Sequence, residues 1–175
     1  MIRYLLFLVL FVFFIFEGTV FQIFASDMFG TPYIFVPRWV FAIIIFAGIY
    51  RGRATGTMYA VILGVIYDVI FMSILGVYAF GMGLITYLLS ISIPFFQRNI
   101  PIIVITCMIA IATLDYYIYG MMLLLGLTSI IHEEFLYTRF IPSILINFAF
   151  VCIAAYPLKK MFQYIKRKKE EAETV

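Results

Sequence analysis

Apolar residues in this chain come in long runs, and its polar residues gather in a few short breaks. Runs of this kind, without the alternation of a half-buried strand, indicate helices that are apolar all round. The first run, residues 4–25, is broken by Glu17 and Gln22 and closed by the polar stretch Ser26 to Pro32. Arg3 precedes it, as in a secretory signal. The run exceeds the usual apolar core of about 7–15 residues, and no small-residue cleavage site follows, so it is read as a retained first span. The second run, residues 36–50, is short. It opens on Val36-Pro37-Arg38-Trp39, with Pro suited to a first helical turn and Trp to a membrane interface, and ends at Arg51-Gly52-Arg53. The apolar stretch from Thr57 to Phe96 is too long for one helix. Ser73 and Gly76 mark a reversal that divides it into spans 57–72 and 75–96. Spans 101–125 and 141–158 follow, separated by a loop holding His132, Glu133, Glu134 and Arg139, and a basic tail occupies 159–175.

Composition identifies the solvent. The chain is 66% hydrophobic and 12% charged, against about 45–50% and about 25% in ordinary soluble domains. A small soluble protein has too much surface for its volume to hide that many apolar side chains. This excludes a typical soluble enzyme, a disordered chain and a nucleic-acid-binding domain. Six membrane helices of about 20 residues each take about 120 positions, which leaves no room for a separate soluble domain in 175 residues. The expected architecture is all-α and polytopic.

Charge sets the orientation. With six spans, Arg3, Arg51, Arg53, Arg98 and the tail cations Lys159, Lys160, Lys166, Arg167, Lys168 and Lys169 share one side, which the positive-inside rule makes cytoplasmic. Only Arg38 and Arg139 fall outside. Both termini are therefore expected in the cytoplasm of a multi-pass membrane protein. The net charge of +3 reflects this sidedness and is not a nucleic-acid footprint.

The informative residues are the exceptions to apolarity. An ionisable side chain at the centre of a span costs roughly 2.5–3.5 kcal/mol. At about 1.5 Å per residue, Glu17, Asp68, Asp115 and Asn147 all fall in the outer half of the membrane, at the level where Arg38 and Arg139 enter. These six are expected to form an intramembrane polar cluster, through Arg–carboxylate pairs such as Arg139 with Asp68. Its role is either internal adhesion or a site for a partner or ligand. Gly56, Ala60, Gly64 and Asp68 recur every four residues, a small-residue ridge that lets a helix approach closely, either within this chain or from another subunit. Trp39, Tyr50, Tyr116, Tyr117, Tyr119 and Tyr156 are read as interface anchors. Cys107 and Cys152, both in spans, are read as free thiols.

Enzyme readings find little support. His132 with Glu133 and Glu134 lacks the ligand number of a zinc site. Neither Ser129 nor Ser143 sits in a nucleophile elbow. No lysine lies inside a span to form a Ser–Lys dyad. Tyr67-Asp68 has the form of one element of intramembrane aspartyl proteases, but Asp115 follows Ala112-Thr113-Leu114 instead of the second element, G-x-G-D. No glycine-rich phosphate loop is present. No catalytic residue, cofactor or metal is assigned.

Val36-Pro37-Arg38, Gly64-Val65-Ile66-Tyr67-Asp68, Ser73-Ile74-Leu75-Gly76-Val77-Tyr78 and Arg139-Phe140-Ile141-Pro142 with Asn147 resemble the rod shape-determining protein MreD family over nearly the whole chain. The block from Gly64 to Tyr78 is the most specific. The resemblance implies a non-enzymatic subunit of the bacterial cell-wall elongation machinery. It would work with an MreC-like membrane protein, an MreB-type filament, a SEDS glycosyltransferase and a penicillin-binding transpeptidase. It also implies a fold similar to the substrate-binding subunits of energy-coupling-factor vitamin transporters. That similarity supplies the competing reading, a small-molecule carrier. The candidate docking surfaces are the Gly56–Gly64 ridge and the outer ends of the spans near Arg38 and Arg139. The basic tail is expected to meet membrane lipid or a cytoskeletal partner.

Overall fold

A computed structural model describes residues 2–25, 33–72, 74–91, 93 and 97–173, with side chains placed for 6–19, 33–72, 74–91, 93 and 97–165. The loop 26–32, Ser73, the end of the fourth predicted span and the side chains of Lys166 to Lys169 lie outside the described residues. The described backbone is helical, in the order α1 (Ile2–Ala25), α2 (Trp39–Arg51), α3 (Arg53–Phe71), α4 (Val77–Leu89), α5 (Ile100–Leu124), a single turn α6 (His132–Phe135), a π-helical turn (Leu136–Phe140) and α7 (Ile141–Glu173).

Local chemistry sets most boundaries. Gly52, at φ 98°, separates α2 from α3 within one residue, because glycine alone takes that conformation without a Cβ penalty. Pro101 occupies the first turn of α5, where its missing N–H is no loss. α4 stops at Leu89 and not at the predicted 96. Pro94 disfavours helix in the residue before it, and Ile93 is non-helical. α7 instead runs past the predicted 158 to Glu173, with Pro157 inside it. The tail is built of Lys, Glu, Ala and Arg, all good helix formers, so the helix continues into the charged segment.

Three helical stretches are long and apolar enough to cross a membrane: Arg53–Phe71, Ile100–Leu124 and His132–Ile165. Leu6–Thr19, Trp39–Arg51 and Val77–Leu89 are shorter apolar helices. α2 is short because it is the centre of the molecule. It packs against α1, α3, α4, α5 and α7, and every residue from Val40 to Tyr50 is buried. A helix enclosed on all sides shows no polar face in its sequence. Around it the chain runs back and forth between two ends. At one end Tyr50 Oη donates to the Gln97 carbonyl at 2.9 Å, Arg53 Nε to the Ser90 carbonyl at 3.4 Å and Lys159 Nζ to the Arg98 carbonyl at 2.7 Å. The intramembrane acids lie towards the other.

Tyr50 and Trp39 are not interface anchors. Trp39 stacks between Phe16 of α1 and Phe150 of α7, at 5.5 and 5.0 Å. Tyr50 is 6% exposed and stacks on Phe162. Cys107 is buried, Cys152 is exposed, and both are free thiols.

The small-residue ridge is used inside the chain. A Cβ added to Gly56 would lie 2.6 Å from Gly48 Cα of α2, and one added to Gly64 would lie 2.6 Å from Ala79 Cα of α4. Ala60 between them is fully buried. The neighbour at Gly64 is backbone, which cannot rotate away, so α3 and α4 would have to separate. Gly64→Ala is expected to destabilise the protein by about 1–3 kcal/mol, the usual cost of overpacking. Gly120→Ala, where a Cβ meets nothing within 4 Å, should leave the thermal midpoint in detergent nearly unchanged. Equal midpoints for the two variants would contradict this packing.

Candidate functional site

The polar residues converge on two helix starts. α2 begins inside the protein, preceded by non-helical chain from Tyr33 to Arg38. Non-helical backbone at membrane depth is tolerated only where other protein groups satisfy it, and α7 and the π-helical turn before it provide those groups. Ile34 N–H donates to the Thr138 carbonyl at 2.7 Å, and Val36 N–H to Ser143 Oγ at 3.0 Å. Arg38 N–H donates to Asn147 Oδ1 at 2.8 Å, and Asn147 Nδ2 returns a bond to the Val36 carbonyl at 2.9 Å. The Asn147 amide thus satisfies one backbone donor and one backbone acceptor of this segment. Asn147 and Ser143 are fully buried.

Two carboxylates cap helices they do not belong to. Arg38, the residue before α2, makes no side-chain cap. Glu17 of α1 takes that role, with Val40 N–H donating to its Oε2 at 2.9 Å and Tyr67 Oη to its Oε1 at 2.6 Å. The residue before α4 is Gly76, which has no side chain to cap with. Asp68 of α3 receives Gly76 N–H at 2.9 Å, Tyr78 N–H at 2.7 Å and Ala79 N–H at 3.0 Å. A helix start exposes unpaired N–H groups and the positive end of its dipole, which an anion satisfies. In lipid no water could replace these acids.

The third acid forms an ion pair. Arg38 Nε donates to Asp115 Oδ1 of α5 at 3.0 Å, with both side chains 4% exposed. Arg38 Nη1 donates to Tyr78 Oη at 3.1 Å. Tyr78 therefore joins the ion pair to the Asp68 cap through its hydroxyl and its own N–H.

A cavity of about 220 Å³ lies beside this network, with Glu17, Arg38, Tyr67, Tyr78 and Arg139 in its wall. Arg139 sits in the π-helical turn. Among the described residues it donates no hydrogen bond. Asp68, its expected partner, is bonded to backbone at the start of α4 instead. The two aspartates bond different partners, Asp68 the start of α4 and Asp115 the Arg38 guanidinium, and share no hydrogen bond of the kind an aspartyl-protease dyad makes. His132 lies 3.4 Å from Tyr116 Oη among the rings of Tyr119 and Phe135. Among the described residues, no three His, Cys, Asp or Glu side chains converge as metal ligands.

The family model described as rod shape-determining protein MreD matches residues 1–165. The chain belongs to the MreD family. It is 28% identical over 135 residues to the rod shape-determining protein MreD of Bacillus subtilis (strain 168), a match covering 77% of this chain and 78% of that relative. No solved structure matches the chain. As an MreD family member, this is a membrane protein involved in rod-shape determination and associated with the cell-shape machinery and the membrane.

The blocks resembling MreD map onto the polar network. Val36 to Arg38 is the non-helical entry to α2, Tyr67-Asp68 and Gly76 to Tyr78 form the α4 cap, and Arg139 with Asn147 flanks the start of α7. The structure brings Glu17, Arg38, Asp115 and Asn147 into direct or one-residue-removed contact. It sets Asp68 one link away through Tyr78 and leaves Arg139 on the cavity wall. Sequence reasoning did not assign Tyr67, Tyr78 and Ser143 to this site. Tyrosine and serine carry no charge to stand out in an apolar run, and only the position of the two tyrosines beside Asp68 and Gly76 pointed to them.

Proposed function

We propose that this protein is a non-enzymatic scaffold of the bacterial cell-wall elongation complex. It crosses the cytoplasmic membrane six times with both termini inside, and it docks an MreC-like membrane protein and, with it, the peptidoglycan synthases. The observation that carries this reading is the family match over residues 1–165. The commitment of Glu17, Asp68 and Asp115 to holding helices together supports a structural role. Six crossings are supported by the return of Arg53, Arg98 and Lys159 to one end of the molecule, although α2 and α4 are short. An α2 of 13 residues spans about 20 Å, and the non-helical stretch from Tyr33 to Arg38 supplies the remaining depth. The likeness in fold to energy-coupling-factor substrate-binding subunits is part of the same proposal and rests on the six-helix layout.

Since the Gly56–Gly64 ridge is occupied by α2 and α4, docking uses the outward faces of the helices. The basic tail, on the cytoplasmic continuation of α7, adds lipid attraction of about 1 kcal/mol per cation near an anionic surface or a contact with the MreB-type filament. Two measurements test the reading. An affinity-tagged copy solubilised in mild detergent should co-purify the MreC-like protein, and depletion should turn rods into rounded cells. Absence of both would overturn it.

A further inference from the structure

The polar network leaves guanidinium donors unspent on one cavity. Arg38 is 3% exposed, its Nε and Nη1 are bonded, and its Nη2 has no partner. Arg139, half-buried, lines the same cavity without a hydrogen bond to any described residue. The one carboxylate in the wall, Glu17, is already engaged at both oxygens, by Val40 N–H and Tyr67 Oη. Asp115 Oδ2 is also unpartnered, but Asp115 is not part of the wall. The cavity wall thus holds two guanidinium side chains and one engaged carboxylate, and of the two cations Arg139 is the more exposed and has no ion-pair partner among the described residues. Guanidinium forks match phosphate and carboxylate oxygens bidentately.

Size and surroundings narrow the ligand. About 220 Å³ is below the roughly 300–1,000 Å³ that encloses a whole drug-sized molecule. It accommodates a group, with the remainder of the molecule outside. The rim supports such a remainder. Phe71 is 38% exposed and apolar, and Gly18 beside it is half-buried. A wall that combines arginines with apolar side chains is complementary to an amphiphile.

We propose that this cavity is a phosphate-binding site, occupied by the headgroup phosphate of a membrane phospholipid, with Arg139 and Arg38 as its ligands. A soluble phosphate would use the same chemistry. The inference rests on the cavity and does not depend on docking of a partner.

The test uses the full chain, delipidated in mild detergent, with thermal unfolding followed on titration of phosphatidylglycerol, diacylglycerol or inorganic phosphate. Phosphatidylglycerol should raise the midpoint and diacylglycerol, with the same tails and no phosphate, should not. The rise should be lost in Arg139→Gln, be reduced in Arg139→Lys, which keeps the charge without the fork, and persist in Arg53→Gln at the opposite end of the molecule. The same Arg139-dependent rise with inorganic phosphate would support the site and assign it to a soluble anion. An equal rise with diacylglycerol, no rise with either phosphate source, or an undiminished rise in the Arg139 variants would overturn the proposal. Should Arg139→Gln not fold, Arg139→Lys decides alone, because an unchanged response there removes the fork from the argument.

Discussion

Asp68→Ala is expected to cost about 3–5 kcal/mol. The substitution removes one side chain and leaves three N–H groups, those of Gly76, Tyr78 and Ala79, without an acceptor. Each unsatisfied buried donor costs about 1–3 kcal/mol, and Asp68 and Tyr78 are buried whereas Gly76 is exposed, so the loss is greatest at the Tyr78 N–H. Because α3 packs more extensively on α4 than on any other helix, the loss falls on the most extensive contact in the fold. Asp68→Asn should retain part of the stability, since its amide oxygen still accepts while the charge that complements the α4 dipole is gone. The order wild type, Asn, Ala should appear in thermal midpoints in detergent and in folded yield. An Asp68→Ala protein as stable as the wild type would show that the start of α4 does not need this acid.

The second large effect is expected at Arg38 and Asp115. Removing one member of a buried pair leaves an uncompensated charge, at a cost of about 3–5 kcal/mol, whereas replacing both by apolar groups of similar volume is often nearly neutral. Arg38→Met and Asp115→Leu should each lower stability strongly, and the double variant should be more stable than either single one. The Arg38 N–H bond to Asn147 belongs to the backbone and survives these substitutions, so the entry to α2 keeps its path. The coupling is read from a double-mutant cycle, and strictly additive losses would show that the two side chains do not act as a pair. If the double variant folds while cell shape fails, the pair serves function beyond stability.

Both predictions concern residues visible in the sequence whose partners were not. Glu17, Asp68 and Asp115 stand out because a carboxylate in an apolar run needs a physical reason. Their common depth could be read by counting along the helices. What each acid binds depends on which helix start lies beside it. Glu17 precedes Val40 by an entire loop, and nothing near Glu17 announces a capping role. The predicted Arg139–Asp68 pair illustrates the difference. Both residues lie at the right level, but the three N–H groups at the start of α4 are nearer neighbours of Asp68 in the chain, and they take it. The ridge at Gly56 and Gly64 was legible as a close-packing face, while the identity of the packed helices, α2 and α4, was not. Trp39 reads as an interface residue because tryptophan favours that level. It is stacked instead between Phe16 and Phe150, since the helix it begins is enclosed on all sides.

The sequence by itself determined the solvent, the helical class, the main apolar segments, the clustering of cations towards one end and the short list of polar residues that matter. These follow from composition and from the spacing of charges along single helices, both one-dimensional properties. Only the tertiary structure decided that α2 is the enclosed centre, that the non-helical stretch before it is bonded to Asn147 and Ser143, and that Glu17 and Asp68 cap helices other than their own. The physical reason is the absence of water around buried backbone. Every unpaired N–H at a buried helix start must find an acceptor in three dimensions, and the nearest acceptor in space is seldom the nearest along the chain.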